Sequence, residues 1–241
     1  MLTAIIIPCY NEANRFPLNR YLSFLKFKHK VILYFINDGS TDQTFDVLSK
    51  LKKLANDKIQ IVSLTNNQGK AEAVRCGMLE AQKNKNIYRF AYLDADLSAS
   101  LEECVSLANR VDSKKELIFG SRIKKTDNNI KNKTSRFIIG RIIAAFISII
   151  LKMPIYDTQC GCKIFTLELS KIIFKDPFIT SWLFDVEIFY RLINKFGREQ
   201  TLEKIQEVPL KEWINTEDSK VSLKYGFKVW FDIYKIYKYY D

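Results

Sequence analysis

Ile87-Tyr88-Arg89-Phe90-Ala91-Tyr92-Leu93-Asp94-Ala95-Asp96-Leu97-Ser98 is the stretch on which the fold turns. Its apolar run, 87–93, predicts a buried strand, and the run stops at two carboxylates one residue apart. In an open α/β sheet, ligands gather at the carboxyl ends of strands. Two acids there can hold a divalent cation that in turn holds a diphosphate. Magnesium-type ions take oxygen ligands, often one or two carboxylates plus substrate phosphates. Asp-x-Asp is also what a turn or helix cap looks like. A helix begins at about Ser100, so Ser98 and Ser100 are cap candidates and the rest of the chain must decide.

Upstream, strand and helix alternate. Leu2–Pro8 is a continuous apolar run that suits a strand buried on both faces. Pro17 suits a first helical turn, and Leu18, Tyr21, Leu22 and Leu25 repeat at helical spacing, predicting a helix to about Lys28. Val31–Ile36 reads as a second strand and Asn37–Asp42 as a turn, with Ser40 or Thr41 as N-cap of a second helix. Ile59–Leu64 is a third strand, and Asn67-Gln68-Gly69-Lys70 opens a third helix to about Lys83. Downstream, a helix over Leu101–Val111 leads into a strand at Glu116–Ser121. This alternation predicts one α/β domain around an open, mostly parallel sheet.

After Ser121 the rhythm changes. Residues 122–136 carry Arg122, Lys124, Lys125, Lys131, Lys133 and Arg136 against Asp127 alone. An apolar helix follows over 137–151, with Arg141 on one face. Phe184–Phe196 predicts another helix and Ile205–Leu210 a late strand. Over Leu223–Tyr240, Lys224, Lys228, Lys235 and Lys238, with Asp232 among them, fall on one helical face, and Phe227, Trp230, Tyr234 and Tyr237 on another. Such helices suit a membrane interface, although 137–151 also fits a core helix and the C-terminal one a surface helix packing its aromatics onto the domain.

A chain of 241 residues can bury a full core, but its net charge of +11 is unusual and points to an anionic partner. The five cysteines have no metal-binding spacing and fit a reducing compartment. The N-terminus enters a strand directly, so no signal peptide is expected. The run 137–151 is shorter than the roughly 20 residues a membrane span needs. The single histidine, His29, lies in a Lys-rich segment and reads as solvated, which argues against histidine-based catalysis.

Taken together, the motifs resemble the family-2 glycosyltransferases of the GT-A (Rossmann-like) fold. The matching stretches are Pro8-Cys9-Tyr10-Asn11-Glu12, Asn37–Asp42, Asn67-Gln68-Gly69-Lys70, Asp94-Ala95-Asp96 and Gly120-Ser121-Arg122. Asp157-Thr158-Gln159-Cys160-Gly161-Cys162-Lys163-Ile164-Phe165, Phe184-Asp185-Val186-Glu187, Glu207-Val208-Pro209 and Ser219-Lys220-Val221 complete the set. Within the family the chain is most similar to the polyprenyl-phosphate branch, on its dolichyl-phosphate glucosyltransferase side. The resemblance implies a GT-A domain over 1–221, with a nucleotide-sugar half (1–121), an acceptor half (122–221) and a C-terminal amphipathic helix (222–241). It implies that Pro8, Tyr10 and Glu12 line the base and ribose, that Asp38 reads their edge, and that Asp94 contacts the nucleotide. Lys70 would sit near the nucleotide at a helix N-terminus, a natural anion site. Asp96, with Asp94, would hold Mg2+ or Mn2+. Ser98 stands where mannose synthases of this branch carry a metal-holding Gln.

The implied reaction is inverting transfer of a hexose from a nucleotide sugar to polyprenyl phosphate at the cytosolic membrane face, with UDP-glucose favoured over GDP-mannose and UDP-N-acetylglucosamine. A phosphate monoester is largely ionised near neutral pH, its second pKa being about 6, so no strong base is needed. Cations must hold it: Arg122 and Arg136 first, since guanidinium groups match phosphate in two-pronged fashion, then Lys133 and Arg141. Asp96, Arg122 and Asp157 form the expected catalytic set. For Asp157 three roles stay open: orienting the acceptor, acting as a weak base, or pinning a loop. Asp185 reads as a helix cap as readily as a site residue. The expected enzyme is peripheral on an anionic membrane, without a spanning helix. One alternative keeps the fold and changes the acceptor to a growing cell-surface glycan. The other is a basic nucleic-acid-binding protein, which charge alone allows but the absence of aromatics interleaved on a strand platform disfavours.

Overall fold

The structure, a computed structural model, describes residues 1–27, 29–123, 129–131, 134–214 and 225–240. Lys133 and the Ser219-Lys220-Val221 motif lie outside the described residues, as does the side chain of Arg136. In chain order the elements are β1 (Leu2–Cys9), α1 (Leu18–Leu25), β2 (Val31–Asp38), α2 (Thr44–Leu54), β3 (Ile59–Leu64), α3 (Lys70–Gln82), β4 (Ile87–Leu93), α4 (Leu101–Ala108) and β5 (Leu117–Ser121). There follow β6 (Asn129–Lys131), α5 (Thr134–Leu151), β7 (Cys162–Thr166), α6 (Leu167–Ile173), α7 (Phe184–Phe196), α8 (Arg198–Lys204), β8 (Ile205–Pro209), β9 (Glu212–Ile214) and α9 (Tyr225–Tyr240).

Seven strands form one sheet in the order β3-β2-β1-β4-β7-β5-β8. All neighbours run parallel except β7, which pairs antiparallel with both β4 and β5. Alternate residues of each strand feed opposite layers. Ala4 and Ile6 of β1 join a core with α3, α6 and α7, whereas Ile5 and Ile7 join one with α1, α2 and α4. Burial on both faces explains the near-continuous apolar strands.

This order brings chemistry to one edge. Asp38 ends β2, Asp94 follows β4 and Arg122 follows β5. Because β7 is antiparallel, its start lies at the same edge, with Cys162 opposite Leu93. The segment entering it, Asp157–Gly161, therefore crosses the sheet between the ends of β4 and β5.

Local details differ from the sequence pattern in instructive ways. Ser100 caps α4 as expected, its side chain accepting the Glu103 N–H. Ser40 and Thr41 do not cap α2. Ser40 Oγ accepts the Asn11 N–H, and the Thr41 N–H donates to Asn11 Oδ1, so these residues tie the β1 and β2 loops together. His29 is half-buried and stacks on Phe24 at 4.2 Å between ring centroids, so it is a packing group.

The two amphipathic helices expose apolar faces. Ile142, Phe146 and Ile149 of α5 are open to solvent, while Ile147 and Leu151 are buried. In α9 the aliphatic side chains Val229, Ile233 and Ile236 turn inward with Asp232, and Trp230, Tyr234 and Tyr237 remain outside at 44%, 59% and 44% exposure. Phe146 meets Trp230 edge to face, with centroids 5.0 Å apart. No helix among the described residues is long and apolar enough to cross a membrane.

Candidate active site

The centre is the loop after β4. Leu97 adopts φ +53°, a left-handed conformation that a bulky side chain rarely takes. Backbone strain of this kind persists where surroundings over-determine it, typically at functional sites. Those surroundings are visible: Tyr21 Oη donates to Ala95 O, Arg20 Nη1 to Leu97 O, and the Leu97 N–H to Asp94 O. Two helical side chains and one turn thus set the directions of Asp94 and Asp96.

Asp94 pairs with Lys70 Nζ at 2.6 Å. Lys70 is the first residue of α3, and its amine also lies 5.9 Å from the centroid of the Trp182 ring. Burial opposes the Lys70 charge, but the carboxylates of Asp94 and then Asp185 outweigh it and hold the amine above its ordinary value. The other side of Asp94 touches Gly161: the Asp94 N–H donates to Gly161 O, and a Cβ on Gly161 would lie 2.0 Å from Asp94 Oδ2. Only glycine fits this approach. Asp96 Oδ1 accepts the Ser98 N–H at 2.9 Å.

Asp94 and Asp96 offer oxygen donors only, which suits a magnesium-type cation. Among the described residues no cluster of three or more His, Cys, Asp or Glu is placed to hold a metal. The donor set therefore fits a cation completed by phosphate oxygens and water, not one caged by protein.

The other expected nucleotide residues sit beside this loop. Pro8, near the end of β1, and Tyr10, just after it, are both half-buried. Glu12 is buried and receives both Arg15 Nε (2.5 Å) and Nη2 (2.7 Å). Asp38, expected to read a base or ribose edge, ends β2 beside this loop. It is 2% exposed, and its oxygens accept the Gln68 and Gly69 N–H groups and Asn67 Nδ2. It shapes the loop that delivers Lys70.

At the end of β5, Arg122 and Asp157 form a forked pair, with Nε and Nη2 at 2.7 and 2.8 Å and the Arg122 N–H adding a third bond at 3.1 Å. Burial pushes the Asp157 carboxyl up, but the Arg122 charge and hydrogen bonds overcome it and hold it below its ordinary value. This is the geometry of a loop pin, and a carboxylate so stabilised is a poor base. The Arg122 guanidinium also stacks 5.1 Å above Trp213. Arg141, from α5, reaches the same loop, donating to Tyr156 O at 2.7 Å with its guanidinium 3.4 Å over the Tyr156 ring. The structure thus brings Arg122, Asp157 and Arg141 together.

Sequence reasoning missed several residues. Glu207 was only part of a motif, yet its two oxygens accept the Tyr156 and Asp157 N–H groups. Glu187 accepts the Ile179 and Thr180 N–H groups and so fixes the turn before Trp182. Asp185 does not cap α7; it is buried against Lys163 at 2.5 Å. An acid two residues inside a helix start, following an aromatic, carried no signal that distinguishes these roles. Burial pushes the Cys160 thiol up to about 12, so it is a packing group and not a nucleophile.

The family model "Glycosyl transferase family 2" matches residues 4–174. The chain belongs to glycosyltransferase family 2. Among relatives in this family, a dolichyl-phosphate beta-glucosyltransferase of Dictyostelium discoideum is 34% identical over 78% of this chain and 61% of its own length. That of Saccharomyces cerevisiae is 30% identical over 91% of this chain and 69% of its own length. A solved glycosyltransferase structure, glucosyl-3-phosphoglycerate synthase of Mycobacterium tuberculosis with Mn2+, UDP and glucosyl-3-phosphoglycerate, superposes with a TM-score of 0.68, at 15% identity, covering 98% of this chain and 80% of that one. The seven-stranded sheet is thus a GT-A fold, and this family-2 chain is a glycosyltransferase.

Proposed function

We propose that this chain is an inverting, metal-dependent glucosyltransferase that moves glucose from UDP-glucose to dolichyl or a related polyprenyl phosphate. The observation that carries this reading is the placement of a carboxylate–lysine centre (Asp94, Asp96, Lys70) and an arginine centre (Arg122, Arg141) at one sheet edge, joined by the segment 157–161. The relatives named as dolichyl-phosphate beta-glucosyltransferases and the neighbour solved with UDP and Mn2+ agree with it.

In this mechanism Pro8, Tyr10 and Glu12 border the nucleoside, and Asp38 acts through the loop it shapes. Asp96, with Asp94 beside it, would hold Mg2+ or Mn2+, which when bound offsets charge developing on the leaving diphosphate. Lys70 adds a fixed positive charge at a helix N-terminus. Arg122, with Arg141 and, outside the described residues, Lys133 and the Arg136 side chain, holds the acceptor phosphate. An oxygen of that phosphate attacks C1 of the sugar from the face opposite the leaving group. The C1–O bond breaks with its electron pair going to UDP, and no proton need move. Residues 1–121 thereby serve the donor and 122–221 the acceptor.

The enzyme works as a peripheral protein on an anionic, cytosolic membrane face. The exposed stripes of α5 and α9, with Lys228, Lys235 and Lys238 also exposed, support this placement. The test is transfer of labelled sugar from UDP-glucose, UDP-N-acetylglucosamine, UDP-galactose or GDP-mannose to dolichyl and undecaprenyl phosphate, with Mn2+ or Mg2+ and with EDTA. Label enters lipid from UDP-glucose and is lost in EDTA and in Asp96→Asn. Metal-dependent donor hydrolysis with no lipid label from any donor overturns the acceptor.

A further inference from the structure

A lysine in the middle of a central strand is unusual, because charged side chains are almost never fully buried unless paired. Lys163 of β7 is 0% exposed. Its Nζ donates to Asp185 Oδ1 at 2.5 Å and to Cys160 O at 2.8 Å, and it lies 5.4 Å from the centroid of the Tyr92 ring. Tyr92 Oη donates to the same Asp185 oxygen. None of these groups reaches the open cleft, and none is used by the mechanism above.

Stability alone is a weak reason to keep such a group. Replacing a whole buried ion pair by apolar side chains is often neutral or stabilising, whereas removing one partner is strongly destabilising. What the Lys163 contacts do hold is specific. Cys160 precedes Gly161, whose carbonyl takes the Asp94 N–H and whose Cα packs on the Asp94 carboxylate. Three residues earlier in the same segment, Asp157 grips Arg122. Tyr92, two residues before Asp94, is tied to the same carboxylate from the β4 side.

We infer that Lys163 and Asp185, with Tyr92, form a positioning unit that fixes the 157–161 segment on β4 and so sets Asp94 and Arg122 relative to each other. Lys163 and Asp185 touch neither substrate; they act through the Cys160 carbonyl and the Tyr92 hydroxyl, and the Asp185 charge is also felt at Lys70. The inference rests on the transfer reaction proposed above for its kinetic arm only. Its binding arm needs no turnover.

The test compares wild type with Lys163→Met/Asp185→Leu and with Tyr92→Phe. Three quantities are read: thermal midpoint, UDP affinity in Mn2+ by calorimetry, and kcat and KM for UDP-glucose. The double variant keeps a midpoint close to wild type, loses about 10- to 100-fold in kcat, since an error of about 1 Å in placement has that scale of effect, and changes KM by much less. Its UDP affinity falls severalfold as Asp94 loses its register. Tyr92→Phe, which keeps the ion pair, shows the same pattern in weaker form. A folded double variant with wild-type kcat and wild-type UDP affinity overturns the inference. If the double variant does not fold, Tyr92→Phe decides, and wild-type values there overturn it equally. If wild type binds UDP but transfers nothing to lipid, the acceptor reading fails, and UDP affinity in the variants still decides this one.

Discussion

Asp157→Asn separates two of the three roles that the sequence alone left open, the loop pin and the weak base. In the structure Asp157 is buried and takes the Nε, Nη2 and backbone N–H of Arg122 as well as the Gln159 N–H. Removing one partner of a buried pair costs about 3–5 kcal/mol. The Arg122 side chain is 33% exposed, so water recovers part of this. The amide also keeps one acceptor oxygen, which leaves an expected loss of about 2–4 kcal/mol, with charge-assisted bonds worth about 1.5–3 each. For a chain of this size that is a fall in thermal midpoint of roughly 4–16 °C. Transfer falls with it, because Arg122 loses its anchor, and KM for the lipid acceptor rises. A general base behaves otherwise: its loss removes about 10²–10⁴-fold in kcat through proton transfer while the fold is untouched. Calorimetric melting together with acceptor kinetics reads both. A wild-type midpoint with a hundredfold loss in kcat and unchanged acceptor KM would refute the pinning argument.

Gly161→Ala places a methyl 2.0 Å from Asp94 Oδ2, so UDP affinity in Mn2+ falls at least tenfold by calorimetry, whereas Gly140→Ala, with nothing within 4 Å, leaves it unchanged. Trp230→Glu/Tyr234→Glu lowers binding to vesicles containing anionic phosphatidylglycerol at least tenfold in co-sedimentation, and equal binding would count against the docking face. The transfer rate rises as pH passes about 6, following the second ionisation of the acceptor phosphate. Asp157, whose folded value is depressed, contributes stability present above its unfolded value of about 3.9 and lost as pH falls through its lower folded value. Acid melts of wild type and Asp157→Asn therefore converge only below about pH 4.

Most of the parallel sheet was legible because strands buried on both faces leave uninterrupted apolar runs, as in β1, β2 and β4. The edge at which those strands end followed from Asp94 and Asp96. β7 was not legible: its five residues, Lys163 among them, stood only as part of a motif with no element assigned, and pairing with β4 and β5, distant in sequence, makes them a strand. The Arg122–Asp157 pair was hidden for the same reason, its members being 35 residues apart. For α9 the spacing revealed a lysine stripe and an aromatic stripe, and the face that packs is neither; Asp232, expected among the lysines, turns inward. Val229, Ile233 and Ile236 took the inside, leaving the aromatics, whose polar edges tolerate water, outside.

The strand order also bears on how the protein comes off the ribosome. β5 has two neighbours, β7 and β8, and both are encoded after it. β4 likewise has β1 on one side but waits for β7 on the other. A nascent chain of residues 1–121 would emerge with β5 unpaired and β4 presenting an open edge, the condition that invites association with other strands. The proposed division of labour between donor and acceptor halves is therefore no division of folding. The centre of the sheet closes only once the last third of the chain has been made.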